Sequence, residues 1–354
     1  MSRFFSSELS GIEPYVPGEQ PKDRKYIKLN TNESPFPPSP DVLDAVTREQ
    51  TADLRLYSDP TAAELVNALA EVFGTDPQNV FVGNGSDEVL AFAFYAYGEK
   101  GFTGPDISYG FYPVFSQFFG IDYSTVALKS DLSLDPCDLI NAKGSIVFAN
   151  PNAQTGLYLT PEQIRSVVES DPDRVVIVDE AYIDFGGESV IPLTKEYKNL
   201  LVVGTFSKSR SLAGARVGFA VGDGELISDL NTLKFSFNPY NLNRLSIVAG
   251  AAAVRDTEYT AKCTAEIIRV REWLKKELTD RGFEMTDSMA NFLLVSHPGI
   301  SGKDYFQRLR ERGVLVRYLG DERIKNCVRI TVGSAEQMEA LVRETDNILA
   351  EVDK

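Results

Sequence analysis

Hydrophobic and polar positions follow several rhythms along this chain, and the changes of rhythm divide it. The first 45 or so residues keep no sustained period and are rich in Pro, Ser and Asn, which predicts an extended arm. A helical period begins at Asp59-Pro60-Thr61. Leu65, Leu69 and Phe73 share one face, Asp59 or Thr61 is placed to cap the helix, Pro60 suits its first turn, and Gly74 suits its end. Short apolar runs then recur between helical patterns, at Val80-Phe81-Val82, Ile146-Val147-Phe148, Val175-Val176-Ile177-Val178, Leu201-Val202-Val203 and Val217-Gly218-Phe219-Ala220. Most are continuous, not alternating. That is the pattern of strands buried on both faces of a mainly parallel sheet with helices on either side. Around Asn243 a long helical pattern sets in and reaches roughly Arg281, with Ile267, Val270, Leu274 and Leu278 as its stripe and Gly282 as its stop. Strand-like runs follow at 292–295, 314–317 and 328–332, with helices between and after them.

The pattern predicts an α/β protein in three parts: an N-terminal arm (1–45), a large domain with a mainly parallel sheet (46–242) and a smaller α+β C-terminal domain (243–354). A length of 354 residues suits two unequal cores better than one. In open α/β sheets, ligands bind beyond the carboxyl ends of the strands. The polar motifs of this chain fall there.

Composition narrows the function classes. A formal net charge of −15 argues against nucleic acid and anionic membrane as partners, and leaves small anionic substrates open. Cys137, Cys263 and Cys327 are scattered without paired spacing, so neither a disulfide framework nor a zinc site is expected. The one histidine, His297, sits in a Ser-His-Pro-Gly turn and reads as a solvated loop residue; no metal is expected. Residues Met1 to Tyr15 lack the apolar core of a signal peptide, and the most apolar stretch, Ile247 to Val254, is far too short to span a bilayer. These features predict a cytoplasmic protein.

Three clusters carry chemistry. Phe81-Val82-Gly83-Asn84-Gly85-Ser86-Asp87-Glu88 reads as strand, glycine turn and helix start. The exposed amides of such a turn can hold an anion, although a plain helix cap has the same appearance. Val178-Asp179-Glu180-Ala181-Tyr182 sets a carboxylate just past a buried strand, where it is costly unless it meets a cation or good donors. A pyridinium nitrogen would be such a partner; a helix cap is the ordinary alternative. Thr205-Phe206-Ser207-Lys208-Ser209-Arg210-Ser211-Leu212-Ala213-Gly214-Ala215-Arg216 follows another buried run. It joins a lysine to hydroxyls and to a second cation, Arg216, able both to fork a phosphate and to favour a deprotonated amine nearby. Leu212-Ala213-Gly214 and the apolar strand beyond fit poorly with a merely solvated basic loop.

The order and spacing of these clusters resemble fold-type I pyridoxal-phosphate enzymes. Within them the chain is similar to the histidinol-phosphate aminotransferase family of the class I/II aminotransferases. The likeness runs through Glu13-Pro14-Tyr15-Val16-Pro17-Gly18, Leu29-Asn30-Thr31-Asn32-Glu33-Ser34-Pro35, Arg55-Leu56-Tyr57-Ser58-Asp59-Pro60, Gly85-Ser86-Asp87-Glu88 and Val328-Arg329-Ile330-Thr331-Val332-Gly333. The resemblance implies pyridoxal 5'-phosphate held by Lys208 as a Schiff base, with Lys208 then moving the substrate proton. It implies Asp179 on the pyridine nitrogen, Tyr182 on the phenolic oxygen and Tyr109 stacked on the ring. Gly85, Ser86, Asp87, Thr205, Ser207 and Arg216 would surround the phosphate, and Tyr57 would reach it from the second subunit of a homodimer with shared active sites. Arg329 would take the carboxylate of glutamate, Arg317 would serve anionic substrate groups, and Tyr15 and Asn32 would belong to the arm over the substrate.

One loop departs from the family. Where the family reads N-P-N-N-P-T-G, this chain has Asn150-Pro151-Asn152-Ala153-Gln154-Thr155-Gly156. The asparagine expected at 153 is alanine, so Asn152 is assigned to the phenolic oxygen in its place, and Gln154 in place of proline is expected to loosen the turn. The implied reaction is amino transfer between a small-molecule amino donor, histidinol phosphate or a similar anionic or aromatic amine, and a 2-oxo acid. Phosphothreonine decarboxylase and aromatic amino-acid aminotransferase are alternatives on the same scaffold. A catalytically idle regulatory domain is disfavoured, because the chain has neither spare length nor basic charge for a DNA-binding appendage.

Overall fold

Each of the five apolar runs of the large domain lies on a strand in the computed structural model, which describes residues 2–9 and 11–352. Met1 and Ser10 of the arm, and Asp353 and Lys354 of the small domain, lie outside the described residues. In chain order the strands are β1 (Ile27–Lys28), β2 (Val80–Asn84), β3 (Phe102–Pro105), β4 (Tyr123–Val126), β5 (Ser145–Ala149), β6 (Val176–Asp179), β7 (Leu200–Thr205) and β8 (Val217–Gly222). The last seven form one sheet, in the order β2-β8-β7-β6-β5-β3-β4. β7, β6, β5, β3 and β4 run parallel, while β8 is antiparallel to both of its neighbours. The reason is local. The loop from β7 to β8 contains only a 3-10 turn (Ala213–Ala215), too little for the crossover that a parallel neighbour requires.

Burial on both faces explains the continuous runs. Val147, Ile177 and Leu201 pack with Phe81, Leu90 and Phe94 on one side, and Ile146, Phe148, Val176 and Val178 pack with Ile164 and Val167 on the other. β3 and β4 are strands that the pattern did not announce. β3 contains Gly104 and Pro105, and β4 lies at the sheet edge with Ser124 and Thr125 exposed, so neither shows a continuous apolar run.

The helix expected at Asp59 begins later, at Ala63, and ends at Phe73. Ala62 occupies a left-handed conformation, φ 47°, which keeps the preceding turn out of the helix. Asp59 still caps, accepting from the amides of Thr61 and Ala63 at 2.9 Å each. Gly74, at φ 61°, closes the helix as expected.

The single long helical pattern from Asn243 proves to be two helices, Arg244–Arg255 and Thr257–Thr279. Asp256 breaks them and caps the second through the Tyr259 amide at 3.1 Å. The first packs its Ile247, Ala249 and Val254 against Val42, Leu65, Leu69 and Val217. The second places Ile267, Val270, Leu274 and Leu278 in a separate core with Phe292, Ile330 and Leu341. On this packing we place the passage between the two domains at Asp256, with the helix Arg244–Arg255 on the large-domain side.

The smaller core is built on β9 (Glu284–Met285), β10 (Phe292–Ser296), β11 (Val314–Leu315), β12 (Arg317–Tyr318) and β13 (Val328–Thr331). A four-stranded antiparallel sheet has the order β12-β13-β10-β9, and β11 pairs in parallel with β1 of the arm. The run expected at 314–317 is therefore divided at Val316 between two sheets. Through β1 and the buried Leu29 the arm is sewn into the small domain.

Candidate active site

The strand ends bring the polar motifs together. Asp179 closes β6, Lys208 follows β7, Gly85 and Ser86 follow β2, and Tyr109 lies between β3 and the helix Phe111–Phe119. A cavity of about 280 Å³ is lined by Ser86, Asp87, Tyr109, Ala153, Asp179, Tyr182, Thr205, Ser207, Lys208 and Arg216, among others. A second, of about 350 Å³, is lined by Tyr15, Asn32, Tyr109, Gln154, Tyr182, Lys208, Arg317 and Arg329 with their neighbours. Thr31, Tyr109, Tyr182 and Lys208 line both, so the two are compartments of one cleft.

At one end of the first compartment Ser86 opens the helix Ser86–Tyr97. Gly85 precedes it at φ 79°, ψ 163°, a conformation open essentially to glycine alone. A Cβ there would lie 2.4 Å from Arg216 Nη2, so glycine also makes room for the arginine. Arg216 Nη2 pairs with Asp87 at 2.9 Å, and the Tyr109 hydroxyl donates to the other oxygen of Asp87 at 2.7 Å. Burial, reinforced by the Asp87 charge, pushes the Tyr109 hydroxyl well above its ordinary pKa and keeps it a donor. Thr205 Oγ1 and Ser207 Oγ lie 3.0 Å apart beside them. Helix amides, two hydroxyls and a guanidinium thus converge on one spot, a set suited to a phosphate.

Asp179 sits at the deep wall, 4% exposed. Burial pushes its carboxyl up to about 6, opposed by hydrogen bonds from the Tyr112 hydroxyl at 2.9 Å and the Ala181 amide at 3.2 Å. Its neighbour Glu180 points to the opposite face of the sheet, as strand alternation requires. There it accepts from Ser189 Oγ at 2.5 Å and the Val190 amide at 2.7 Å, and burial pushes it up to about 8.

Lys208 Nζ donates to the Thr31 carbonyl at 3.1 Å and lies 5.7 Å from the centre of the Tyr182 ring. The Tyr182 hydroxyl accepts from Asn32 Nδ2 at 3.0 Å. Asn32 is buried at φ 55° and held on several sides: Thr331 Oγ1 bonds its amide and its Oδ1 at 3.0 Å each, and Asn291 Nδ2 bonds its carbonyl at 3.0 Å. The arm therefore forms a fixed wall of the cleft at this point. In the second compartment Arg329 Nη1 donates to the Ala153 carbonyl at 2.8 Å and to Gln154 Oε1 at 2.9 Å. Arg317 Nη2 reaches the Val16 carbonyl at 2.8 Å, and Tyr15 packs on Phe111 with ring centres 4.5 Å apart.

Of the expected residues, Gly85, Asn152 and Tyr57 line neither compartment, and Tyr57 was expected at the partner's cleft. Asn152 spends its side chain on its own loop, donating to the Ile107 carbonyl at 2.9 Å and accepting from the amides of Gln154 and Thr155 at 2.9 and 3.1 Å. It lines neither compartment, so nothing in its present contacts supports its standing in for the asparagine missing at 153. Gln154 does not loosen the turn either, because its side chain bridges Arg329 and, at 3.1 Å, the Ser108 carbonyl. Tyr57 is 79% exposed, stacks on Tyr240 with ring centres 4.5 Å apart and lines neither compartment of its own chain. Sequence reasoning missed Tyr112, Thr31 and Gln154. Tyr112 sits in the first turn of the helix Phe111–Phe119, among aromatic residues that give no sign of which one faces Asp179. Among the described residues no group of acidic, histidine or cysteine side chains could hold a metal ion.

Comparison with known proteins places the chain in a family. The model of the family described as aminotransferase class I and II matches residues 24–344. The histidinol-phosphate aminotransferase of Clostridium botulinum (strain Okra / Type B1) is 47% identical over 351 residues, 99% of each chain. That of Brachyspira hyodysenteriae (strain ATCC 49526 / WA1) is 47% identical over 352 residues, again 99% of each. Among solved structures, the histidinol-phosphate aminotransferase of Sinorhizobium meliloti in complex with pyridoxal-5'-phosphate superposes with a TM-score of 0.88 at 25% identity, over 97% of this chain and 96% of that one. A Thermus thermophilus aspartate aminotransferase mutant shares the fold, with a TM-score of 0.83 over 98% of this chain and all of that one. The strand-end lysine, the buried aspartate and the arginines of this cleft thus stand in a chain that belongs to the class I and II aminotransferases, in their histidinol-phosphate aminotransferase family.

Proposed function

We propose that this protein transfers an amino group between histidinol phosphate and 2-oxoglutarate, with glutamate as the returning donor, using pyridoxal 5'-phosphate. One observation carries the reading: a strand-end lysine, a buried carboxylate and a phosphate-suited cluster line a single cavity of about 280 Å³. The relatives that share nearly half of the sequence bear the name of this activity.

The cavity's own groups match the cofactor. Asp179, held up to about 6 by burial, has no cation bonded to it among the described residues and would gain from a pyridinium nitrogen. Ser86, Thr205, Ser207 and Arg216 would hold the phosphate, with Tyr182 on the phenolic oxygen and Tyr109 against the ring. When bound, pyridoxal phosphate supplies the electron sink that stabilises negative charge on the substrate carbon bearing the amine. Lys208 would hold the cofactor and then take and return the proton at that carbon. Arg329, assisted by Arg317, would take the anionic end of each substrate, and Tyr15 and Asn32 would close the arm side. The same proposal includes a homodimer in the cytoplasm, with Tyr57 contributing to the partner's cleft. Its support is the exposure of Tyr57 together with Leu54, Leu56, Phe237 and Tyr240. Among the described residues no helix is long and apolar enough to cross a membrane.

Lys208→Ala tests the reading. It should abolish the near-visible absorption that arises from the linkage of Lys208 to the cofactor, and essentially all turnover of histidinol phosphate with 2-oxoglutarate, since among the described residues no other amine lines the cavity. Substantial turnover in that variant would refute it. Efficient use of phenylalanine with none of histidinol phosphate by the parent would favour an aromatic amino-acid aminotransferase instead.

A further inference from the structure

The donors of Arg329 are unevenly used. Nη1 makes both hydrogen bonds, to the Ala153 carbonyl and to Gln154 Oε1, and with two hydrogens it is then saturated. Nε is buried without a partner, and Nη2 has none among the described residues. An unmatched buried donor is costly, so this edge of the guanidinium is built for an acceptor that a ligand supplies. Nε and Nη2 share one edge of the planar guanidinium and form a fork spaced for the two oxygens of a carboxylate.

Gln154 is held as firmly as the arginine. Its Nε2 donates to the Ser108 carbonyl at 3.1 Å, and its amide donates to Asn152 Oδ1 at 2.9 Å. Ser108, Tyr109, Gln154 and Arg329 all line the larger compartment. A proline at 154, as the resembling family carries, could offer neither side-chain bond.

We propose that Gln154 is a specificity-determining positioning residue, which by occupying Nη1 of Arg329 turns the Nε–Nη2 edge toward the substrate and favours a planar carboxylate. The inference rests on the reading of Arg329 given above. A carboxylate binds best when both oxygens meet the fork in its plane, whereas a phosphate has three terminal oxygens and accepts donors from several directions. Freeing Arg329 to rotate should therefore harm glutamate more than histidinol phosphate.

The experiment uses the cofactor-loaded protein and three variants. Gln154→Met keeps the volume and removes both side-chain hydrogen bonds, Gln154→Ala repeats the loss with less bulk, and Arg329→Lys keeps the charge without the fork. Maleate, a dicarboxylate that cannot react, reports affinity by calorimetry, and kcat and KM are measured separately for the glutamate and histidinol phosphate half-reactions. Both Gln154 variants should raise the Kd for maleate and the KM for glutamate about tenfold, the loss of one charged hydrogen bond. The kcat with glutamate and the KM for histidinol phosphate should change by less than about twofold. Retained turnover of histidinol phosphate shows that a variant is folded. Equal losses for both substrates, or no loss of maleate affinity while Arg329→Lys weakens it, overturn the role of Gln154 alone. Unchanged maleate affinity in Arg329→Lys overturns the assignment of Arg329, and the proposal with it.

Discussion

Replacing Asp179 by asparagine should move catalysis and stability in opposite directions, and both magnitudes follow from its surroundings. With the cofactor bound, the carboxylate is expected to face a cation in a site closed to water. Removing one member of a buried charge pair costs about 3–5 kcal/mol. At about 1.4 kcal/mol per tenfold in rate, proton abstraction from glutamate should slow by about two to four powers of ten. Without the cofactor the balance reverses. The folded carboxyl titrates at about 6, above its unfolded value of 3.8, so the native state binds the extra proton between these values. Its favourable contribution is complete below the unfolded pKa and is lost as pH rises through about 6. That loss approaches about 3 kcal/mol at neutral pH and above. Asparagine escapes it but leaves one of the two donors, Tyr112 or Ala181, unmatched at a cost of about 1–2 kcal/mol. The cofactor-free variant should therefore be more stable than the parent by about 1–2 kcal/mol above neutrality, and no more stable in acid. Stopped-flow absorbance of the glutamate half-reaction gives the first quantity, and denaturant titration of cofactor-free protein on either side of pH 6 gives the second. A rate within about threefold of the parent, with unchanged stability, would show that Asp179 merely caps the Ala181 turn.

Glu180→Gln isolates the neighbouring carboxyl, which titrates at about 8 when folded against 4.5 unfolded. Parent stability should fall across that whole window relative to the variant, so denaturation midpoints of the two that shift in parallel with pH would exclude the effect. Gly85→Ala must both adopt a glycine-only conformation and displace Arg216, costing about 1–3 kcal/mol. Its cofactor affinity should drop at least about tenfold, and equilibrium dialysis that finds parental affinity would refute the phosphate role of this turn. Arg317→Ala should raise the KM for histidinol phosphate more than that for glutamate, because the phosphate carries the greater charge; equal changes would mean that Arg317 only shapes the pocket.

Local chemistry was enough to place the deep half of the cleft. A buried parallel strand demands a continuous apolar run, and the polar residue after such a run is forced to the carboxyl edge of the sheet. Asp179 at the end of β6 and Lys208 after β7 were legible for that reason, and so was Gly85 before the helix at Ser86. Strands without that demand stayed hidden: β3 is interrupted by Gly104 and Pro105, and β4 is half exposed at the edge. The helix break at Asp256 was equally invisible, because the packing of two cores, not local propensity, decides where the chain turns from one to the other. Side-chain direction was the other matter left to tertiary structure. Asn152 and Gln154 are two positions apart on one loop, and sequence assigned the cleft to the first. The fold instead spends Asn152 on the amides of its own turn and aims Gln154 at Arg329, a residue from the other domain. Only once both domains are folded are the Ser108 carbonyl and the arginine near enough to hold that amide between them.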